Sequence, residues 1–415
     1  MKFFSTFFYA GFASGVRVFS GFLSSKVIAV LLGPMGVGYI GQFYNVTSFL
    51  ISFCNGLWNT GVVAISADEK DRASFPTRVA TLFKLVLFSA VLIGFLVFCF
   101  SSQLSDFSFH EANYAYLFRI LGVLLVILCV NQFFISLLNG RRETKKYAIA
   151  SISGSIFSLG MTVLLIYFWR LNGALIAITI SGTGIIFFSA YLLSRCSWFR
   201  WSMLAQKFDK KLLKSFLSYS LVGLSTAIVL PITQLFVRSY LARHLSWTEA
   251  GYWQALGRLS QAYLNILTTA LTVYFLPKFS SLEDRSDLRR ELKRGLIYII
   301  IFMIVATLLI YLLRFFLIEI AYTKQFYPLA SLFKYQLVGD FFQIISWLFG
   351  YLLLAKAKVK ALVTTEIIFG ASYCGLVVVL TRYMGLSGAV LAMTLNYFIY
   401  LLVIGFIAWK TVLID

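Results

Sequence analysis

The sequence predicts an all-α, polytopic membrane protein of about twelve transmembrane helices, and three observations carry that class. Of 415 residues, 60% are hydrophobic and only 13% are charged, a balance foreign to soluble globular chains of this size. Apolar runs of about 20 residues recur from end to end. Basic clusters fall in every second interval between those runs.

Taken in order, the runs place spans near 7–31, 37–64, 79–101, 114–138, 147–168, 173–193, 216–238, 250–276, 296–316, 327–354, 361–381 and 387–409. The first run has no small-residue cleavage site after a short apolar core, so it reads as a retained helix. Gly33-Pro34-Met35-Gly36-Val37-Gly38 then makes a short turn. Basic residues cluster after the even-numbered spans, as in Arg141, Arg142, Lys145 and Lys146 or Lys356, Lys358 and Lys360. Lys and Arg favour the cytoplasmic side, so both termini are expected there. The net charge of +20 has the same origin and does not call for nucleic acid. The basic stretches 194–215 and 277–295 read as cytoplasmic interruptions, the first lying on the membrane surface with Trp198 and Trp201 as anchors.

The two halves resemble each other at an offset of about 214 residues. Gly38-Tyr39 matches Gly251-Tyr252, LLNGRRETKK at 137–146 matches LLLAKAKVK at 352–360, and NGALIA at 172–177 matches SGAVLA at 387–392. This predicts a six-span bundle at 1–200, a cytoplasmic linker at 201–215 and a second bundle at 216–415. Six is even, so both copies point the same way, with a cleft expected between them.

Polar groups inside the apolar runs mark the functional face. A charge at the centre of a membrane helix costs roughly 2.5–3.5 kcal/mol on insertion scales, so it must face protein, water or a ligand. SLFKYQLVGDFFQIISWLFGYLLLAKAKVK at 331–360 carries Lys334 and Asp340 inside its run, with Gln336, Asp340, Gln343, Trp347 and Tyr351 on one helical face. Span 8 sets Gln254, Arg258, Gln261, Asn265, Thr268 and Thr272 in one stripe, and span 2 sets Asn45, Ser48, Ser52, Asn55 and Asn59 in another. Span 1 places Arg17 near mid-depth, with Lys26 further out. Arg119 and Arg238 lie near span ends, where snorkelling is the plain reading and the favoured one for Arg119. The intramembrane tally, Arg17, Lys26, Arg258 and Lys334 against Asp340 and Glu366, is cationic and suits an anionic ligand.

Other chemistry finds no foothold. His110 and His244 fall in predicted loops, and the five cysteines are scattered without metal or redox spacing. The glycine turn lacks the Gly-Lys-Ser/Thr ending of a nucleotide loop, and no HExxH, GxSxG or paired-carboxylate motif is present. The expectation is a transporter, not an enzyme, with no cofactor.

LLGPMGVG, EAGYWQALGRLSQAYLNILTTALTVYFLPKFS at 249–280 and YQLVGDFFQIISWLFGYLLLAKA at 335–357, with Glu366 downstream, resemble the Wzx flippases. These include O-antigen translocases and the WzxE-like lipid III flippases of enterobacterial common antigen. The resemblance covers nearly the whole chain and is stronger in its second half. It implies the multidrug/oligosaccharidyl-lipid/polysaccharide exporter fold, two six-helix bundles in a V around a central cationic cavity. It also implies an undecaprenyl-pyrophosphate-linked oligosaccharide as substrate, moved by alternating access across the bacterial inner membrane. Gln261 stands where the WzxE-like branch has Asp, and Gln343 where it has Lys.

On that reading Arg17, Lys26, Arg258 and Lys334 meet the pyrophosphate and acidic sugars. Asn45, Asn55, Gln254, Gln261 and Asn265 offer hydrogen bonds to sugar hydroxyls, and Asp340 and Glu366 are assigned to proton or sodium coupling. The partners expected are the lipid-linked glycan, membrane lipid and the polymerase and chain-length regulator of the pathway. Two rivals are a cation-coupled multidrug exporter of the same fold, whose cavity should be acidic, and an O-antigen polymerase, which needs a large periplasmic loop.

Overall fold

Apolar helices with few internal charges satisfy their own backbone and leave their side chains to lipid or to each other. A computed structural model describes residues 2–67, 74–210 and 229–414, and no strand occurs among them. The helices are α1 (Lys2–Ala67), α2 (Phe75–Cys99), α3 (Ser101–Phe109), α4 (Ala115–Gly140), α5 (Thr144–Thr183), α6 (Ile186–Ser194) and α7 (229–244). They continue with α8 (Trp247–Ala270), α9 (Leu276–Ser281), α10 (Arg285–Leu312), α11 (Arg314–Ala321), α12 (Phe333–Ala355) and α13 (Val359–Ala408).

Eight helical stretches among the described residues are long and apolar enough to cross a membrane. Three of them, Gly11–Asn55, Thr144–Ser194 and Val359–Val412, run to 45, 51 and 54 residues. That is far beyond the roughly 20 needed for one crossing. Each is broken once by a non-helical residue at positive φ, at Gly33, Arg170 and Gly385. Each therefore counts as two spans, in keeping with about twelve. Of the expected seventh span, 216–238, only 229–238 lies among the described residues, and it is helical.

Burial is arranged for lipid. Only 17% of the apolar window of α10 is buried, and Ile301, Ile304, Val305, Leu308 and Leu312 stand exposed along it. With little hydrophobic gain between helices in lipid, close packing decides association. Gly94 on α2 and Gly122 on α4 show this, because a Cβ on either would overlap the other's carbonyl oxygen.

Two compact units result, Met1–Leu32 with Tyr39–Leu235, and Gly33–Gly38 with Phe236–Asp415. The first has a core of Val79, Leu82, Val86, Leu125, Cys129, Phe133 and Leu137 from α2 and α4. The second is built on Leu264, Leu271, Ile299, Met303, Ile344, Leu348, Leu352 and Ile404 from α8, α10, α12 and α13.

The internal repeat is written in the backbone. The non-glycine positive-φ residues include Arg142 (φ 55°) and Ala357 (φ 57°), 215 residues apart. The breaks at Arg170 (φ 49°) and Gly385 (φ 57°) are separated by the same 215. Three residues after each break a glycine lies against the arm before it. A Cβ on Gly173 would overlap the carbonyl of Leu165, and one on Gly388 that of Leu380. Both breaks are thus helical hairpins whose arms meet near the turn.

Several expectations are corrected. The stretch 277–295 is not a loop. α8 runs through a π-turn at Leu271–Phe275 into α9, and α10 starts at Arg285, with Asp284 Oδ1 accepting from Ser286 N–H at 2.8 Å. Pro277, which has no N–H to donate, stands two residues past the end of that π-turn. The segment after Arg195 is tied to the first unit. Trp198 Nε1 donates to Glu143 Oε1 at 3.1 Å, Lys84 Nζ to the Gln206 carbonyl at 2.6 Å, and Asp209 N to Thr81 Oγ1 at 3.0 Å. Arg141 stacks on Phe75 at 3.8 Å and lies 5.3 Å from Trp198, so this indole is a partner within the protein. Lys334 is not inside the apolar run. A 3₁₀ segment around Pro328 occupies Lys324–Ser331, α12 begins at Phe333, and Lys334 is its second residue, exposed beside Tyr335.

Candidate functional site

α8 organises the site. Ser246 caps it by accepting from Glu249 N–H at 3.1 Å, with Glu249 at the capping-box position. Ala250, Gly251, Ala255, Leu256, Ser260 and Leu264 form its buried face. The predicted stripe lies elsewhere on the helix: Gln254, Arg258 and Thr268 are half-buried, and Gln261, Asn265 and Thr272 are exposed. Thr268 and Thr272 bond back to their own helix, and Thr272 also meets Tyr351 OH at 2.7 Å. The stripe thus lies toward the surface of the second unit.

Arg238 on α7 is fully buried, so of the readings open to it the structure excludes a snorkelling side chain. Its guanidinium donates to Gln254 Oε1 and lies 5.4 Å from the Trp253 ring. Arg258, one turn beyond Gln254, is within electrostatic reach of both Arg238 and Tyr322. Tyr322 is itself buried, donating to the Ala255 carbonyl at 3.1 Å. Two guanidiniums therefore share one neighbourhood, an arrangement of charge that suits an anion.

Behind the stripe, Asp340 on α12 is fully buried. Ser260 Oγ and Tyr263 OH donate to its Oδ2, and Gln336 Nε2 donates to Oδ1 at 2.9 Å. Gln336 Nε2 also lies 3.1 Å from Ser260 Oγ. Among the described residues the carboxyl is held by neutral donors from α8 and its own helix. α13 completes the surroundings. Thr394 Oγ1 donates to the Tyr335 carbonyl at 2.7 Å, and Tyr397 lies within electrostatic reach of both Asp340 and Glu366. Glu366 is half-buried, and its Oε2 is buried without a hydrogen-bond partner among the described residues. Gln343 is buried with Oε1 likewise unpartnered, so it faces the second unit's interior.

The remaining predicted residues sit in the first unit. Arg17 is exposed and reaches Ser151 Oγ at 3.3 Å, and Lys26 is half-buried. Asn45 Nδ2 donates to Gln234 Oε1 at 3.0 Å. Asn55 is buried, and the side chain of Asn59 is outside the described residues. The structure thus gathers Gln254, Arg258, Asp340 and Glu366 in one unit and places Arg17, Lys26, Asn45 and Asn55 in the other. Lys334 is exposed at its helix start, away from the Asp340 face. Sequence reasoning missed Ser260, Tyr397 and the burial of Arg238. A serine on the apolar face of α8, four residues before Leu264, was the only available signal.

With this geometry in view, the comparisons with known proteins decide the family. The family model described as polysaccharide biosynthesis protein matches residues 27–331. The chain belongs to that family. Two curated relatives of the chain, from Escherichia coli K12 and Shigella flexneri, are each named lipid III flippase. Each is 27% identical over 391 residues, covering 93% of both chains. Among solved structures, an inward-facing MATE-family multidrug transporter of the MOP superfamily matches with a TM-score of 0.82 at 14% identity, over 95% of this chain and 94% of that one. A MOP-superfamily transporter from Pyrococcus furiosus, described by the reversed polarity of its binding pocket, matches at 0.67 and 16% identity over 95% and 93%. The fold is that of MOP-superfamily transporters, and this member of the family is an all-α, multi-pass membrane protein. Its relatives are named as flippases and transporters, not as enzymes.

Proposed function

We propose that this protein is a flippase that carries undecaprenyl-pyrophosphate-linked oligosaccharide units, of O-antigen or enterobacterial common antigen type, from the cytoplasmic to the periplasmic leaflet of the bacterial inner membrane. The observation that carries the reading is the neighbouring pair Arg238 and Arg258 in the second unit, with Arg238 bonded to Gln254. Arg238 is buried and orients Gln254; Arg258 is the half-buried member that offers a planar fork to phosphate oxygens. A multidrug exporter drawing in cations has no use for such a pair. The flippase relatives support the lipid-linked class of substrate. Arg17 and Lys26 supply further positive charge, and Asn45, Gln261 and Asn265 supply hydrogen bonds to sugars. The transport cycle is alternating access, with Asp340 and Glu366 taking up and releasing a proton or sodium ion. Both termini are cytoplasmic, and a polymerase and a chain-length regulator receive the product.

Complementation tests this. The chain is expressed in strains lacking their own O-unit or common-antigen flippase, and surface polymer is read by immunoblot. Restored polymer, lost with Arg258→Ala at unchanged membrane content, is the expected result. Loss of one charge-assisted bond corresponds to about tenfold or more in binding. Full export by Arg258→Ala would remove that residue from the substrate path.

A further inference from the structure

α10 begins with a cluster of cations that the proposed transport path does not use. The buried face of the helix is Leu288, Leu292, Gly295, Ile299 and Met303. On an exposed side, Arg285, Arg289 and Lys293 follow at steps of four and form one ridge. The same ridge continues as Ile297, Ile301, Ile304 and Leu308, all exposed. One side of a single helix thus changes from basic to apolar between Lys293 and Ile297, about 6 Å along its axis. In a membrane protein such a change marks the level where headgroups give way to hydrocarbon. Aromatic side chains mark that level independently. Tyr298 on α10 and Trp409 at the end of α13 are both exposed, and rings of these types gather at the membrane–water interface.

The acidic residues of the same stretch are occupied elsewhere. Asp284 Oδ1 accepts from Ser286 N–H, Asp287 pairs with Arg290 at 3.6 Å, and Glu291 Oε1 accepts from Tyr274 OH at 3.0 Å. Asp287 and Glu291 each stand about 160° from Arg289 around the helix, so they do not interrupt the ridge. The Arg289 guanidinium lies 5.3 Å from the Trp409 ring, and Lys410 follows that indole, also exposed. A planar cation beside an interfacial indole is partly ordered before any ligand arrives, and its fork of N–H groups matches phosphate oxygens.

We propose that Arg289 and Lys293, with Trp409 beside them, bind the headgroup phosphate of an anionic phospholipid such as phosphatidylglycerol, in the leaflet that the start of α10 meets. The acyl chains run along Ile297, Ile301 and Ile304. Charge selects an anionic lipid over a zwitterionic one, whose ammonium group meets the same cations. The apolar continuation of the ridge selects a lipid over a soluble anion. The site concerns the surrounding bilayer and not the transported molecule, so it does not depend on the flippase reading.

The test follows thermal unfolding of the full-length protein in neutral detergent with added phosphatidylglycerol, phosphatidylethanolamine or inorganic phosphate. Phosphatidylglycerol should raise the apparent Tm, and the other two should not at the same concentration. The concentration giving half of the effect should rise about fivefold in Arg289→Gln and about 25-fold when Lys293→Gln is added, at one basic residue's worth of attraction each. Arg314→Gln is the control. Arg314 stands at the start of α11, just past the other end of α10, 4.2 Å from the Tyr311 ring, and its loss should leave that concentration unchanged. Equal stabilisation by inorganic phosphate or by phosphatidylethanolamine overturns the proposal, and so does an unshifted response in the double variant. Should the double variant not fold, p-benzoylphenylalanine at Ile297 in the otherwise unchanged chain decides the matter in vesicles of phosphatidylethanolamine and phosphatidylglycerol. Crosslinks enriched in phosphatidylglycerol over its share of the vesicle support the site, and crosslinks in proportion to that share refute it.

Discussion

Asp340 shows what a single intramembrane charge demands. Its two oxygens take three donors, from Ser260, Tyr263 and Gln336. Removing the acceptor leaves Ser260, Tyr263 and Gln336 only one another to bond in a dry interior, at about 1–3 kcal/mol for each buried group left unpaired. Asp340→Leu is therefore expected to destabilise the protein by about 1–3 kcal/mol, read as a loss of apparent Tm in detergent. Asp340→Asn keeps an acceptor oxygen and should retain most of the fold. On the proposed coupling role it should still abolish the response of export to an imposed pH or sodium gradient. Wild-type coupling by Asp340→Asn would reassign the ion to another group. The carboxylate was legible in the sequence because a charge in an apolar run is conspicuous. Ser260 was not, because a serine on an apolar face gains meaning only when α12 is packed against it. Arg238 was left undecided for a related reason. A long cation near a span end can reach the headgroups or turn inward, and only packing against Gln254 and Trp253 decides which.

Among the elements, the two hairpins of α5 and α13 carry the repeat. Gly385 sits at φ 57° and ψ −139°, a region open to glycine and strained for other residues. Its counterpart, Arg170, holds φ 49° and ψ −126° with an exposed side chain. Such strain costs of order 1–3 kcal/mol. Arg170→Gly should accordingly raise stability by about 1 kcal/mol, seen as a higher apparent Tm at unchanged export. Gly388→Val should do the reverse, forcing the arms of α13 apart where they touch the Leu380 carbonyl. A protein unaffected by Gly388→Val would mean that the arms are not held together at that point. The matching segments NGALIA and SGAVLA made this pair of elements legible in advance, since the paired glycines are the sequence trace of the close approach. The helical course of 277–295 and the late start of α12 were not legible. Charge density there imitates a loop, and the 3₁₀ segment around Pro328 shortens the helix in a way hydropathy does not register.

For the molecule as a whole, the proposed orientation makes Cys99 and Cys196 informative. Cys99 is exposed after α2, on the side assigned to the periplasm, and Cys196 is buried near the basic cluster on the other side. Lys146 Nζ lies 3.1 Å from the Cys196 sulfur, yet burial outweighs that ammonium and pushes the thiol up. The thiolate is the reactive form, so Cys196 should resist alkylation at neutral pH even in permeabilised cells. An impermeant maleimide applied from outside the inner membrane should label Cys99. Labelling of Cys99 only after permeabilisation would invert the proposed topology.

The sequence by itself determined the class, the number of crossings to within the limits of helix ends, the internal repeat and the presence of buried charge. These follow from hydropathy, loop charge and local similarity, which are properties of the chain read in one dimension. The tertiary structure alone decided which side chains meet: Arg238 with Gln254, Asp340 with Ser260 and Tyr263, Lys146 with the Arg195 carbonyl. Partners in lipid are chosen by close packing and by the cost of an unpaired polar group, and both depend on which helices become neighbours.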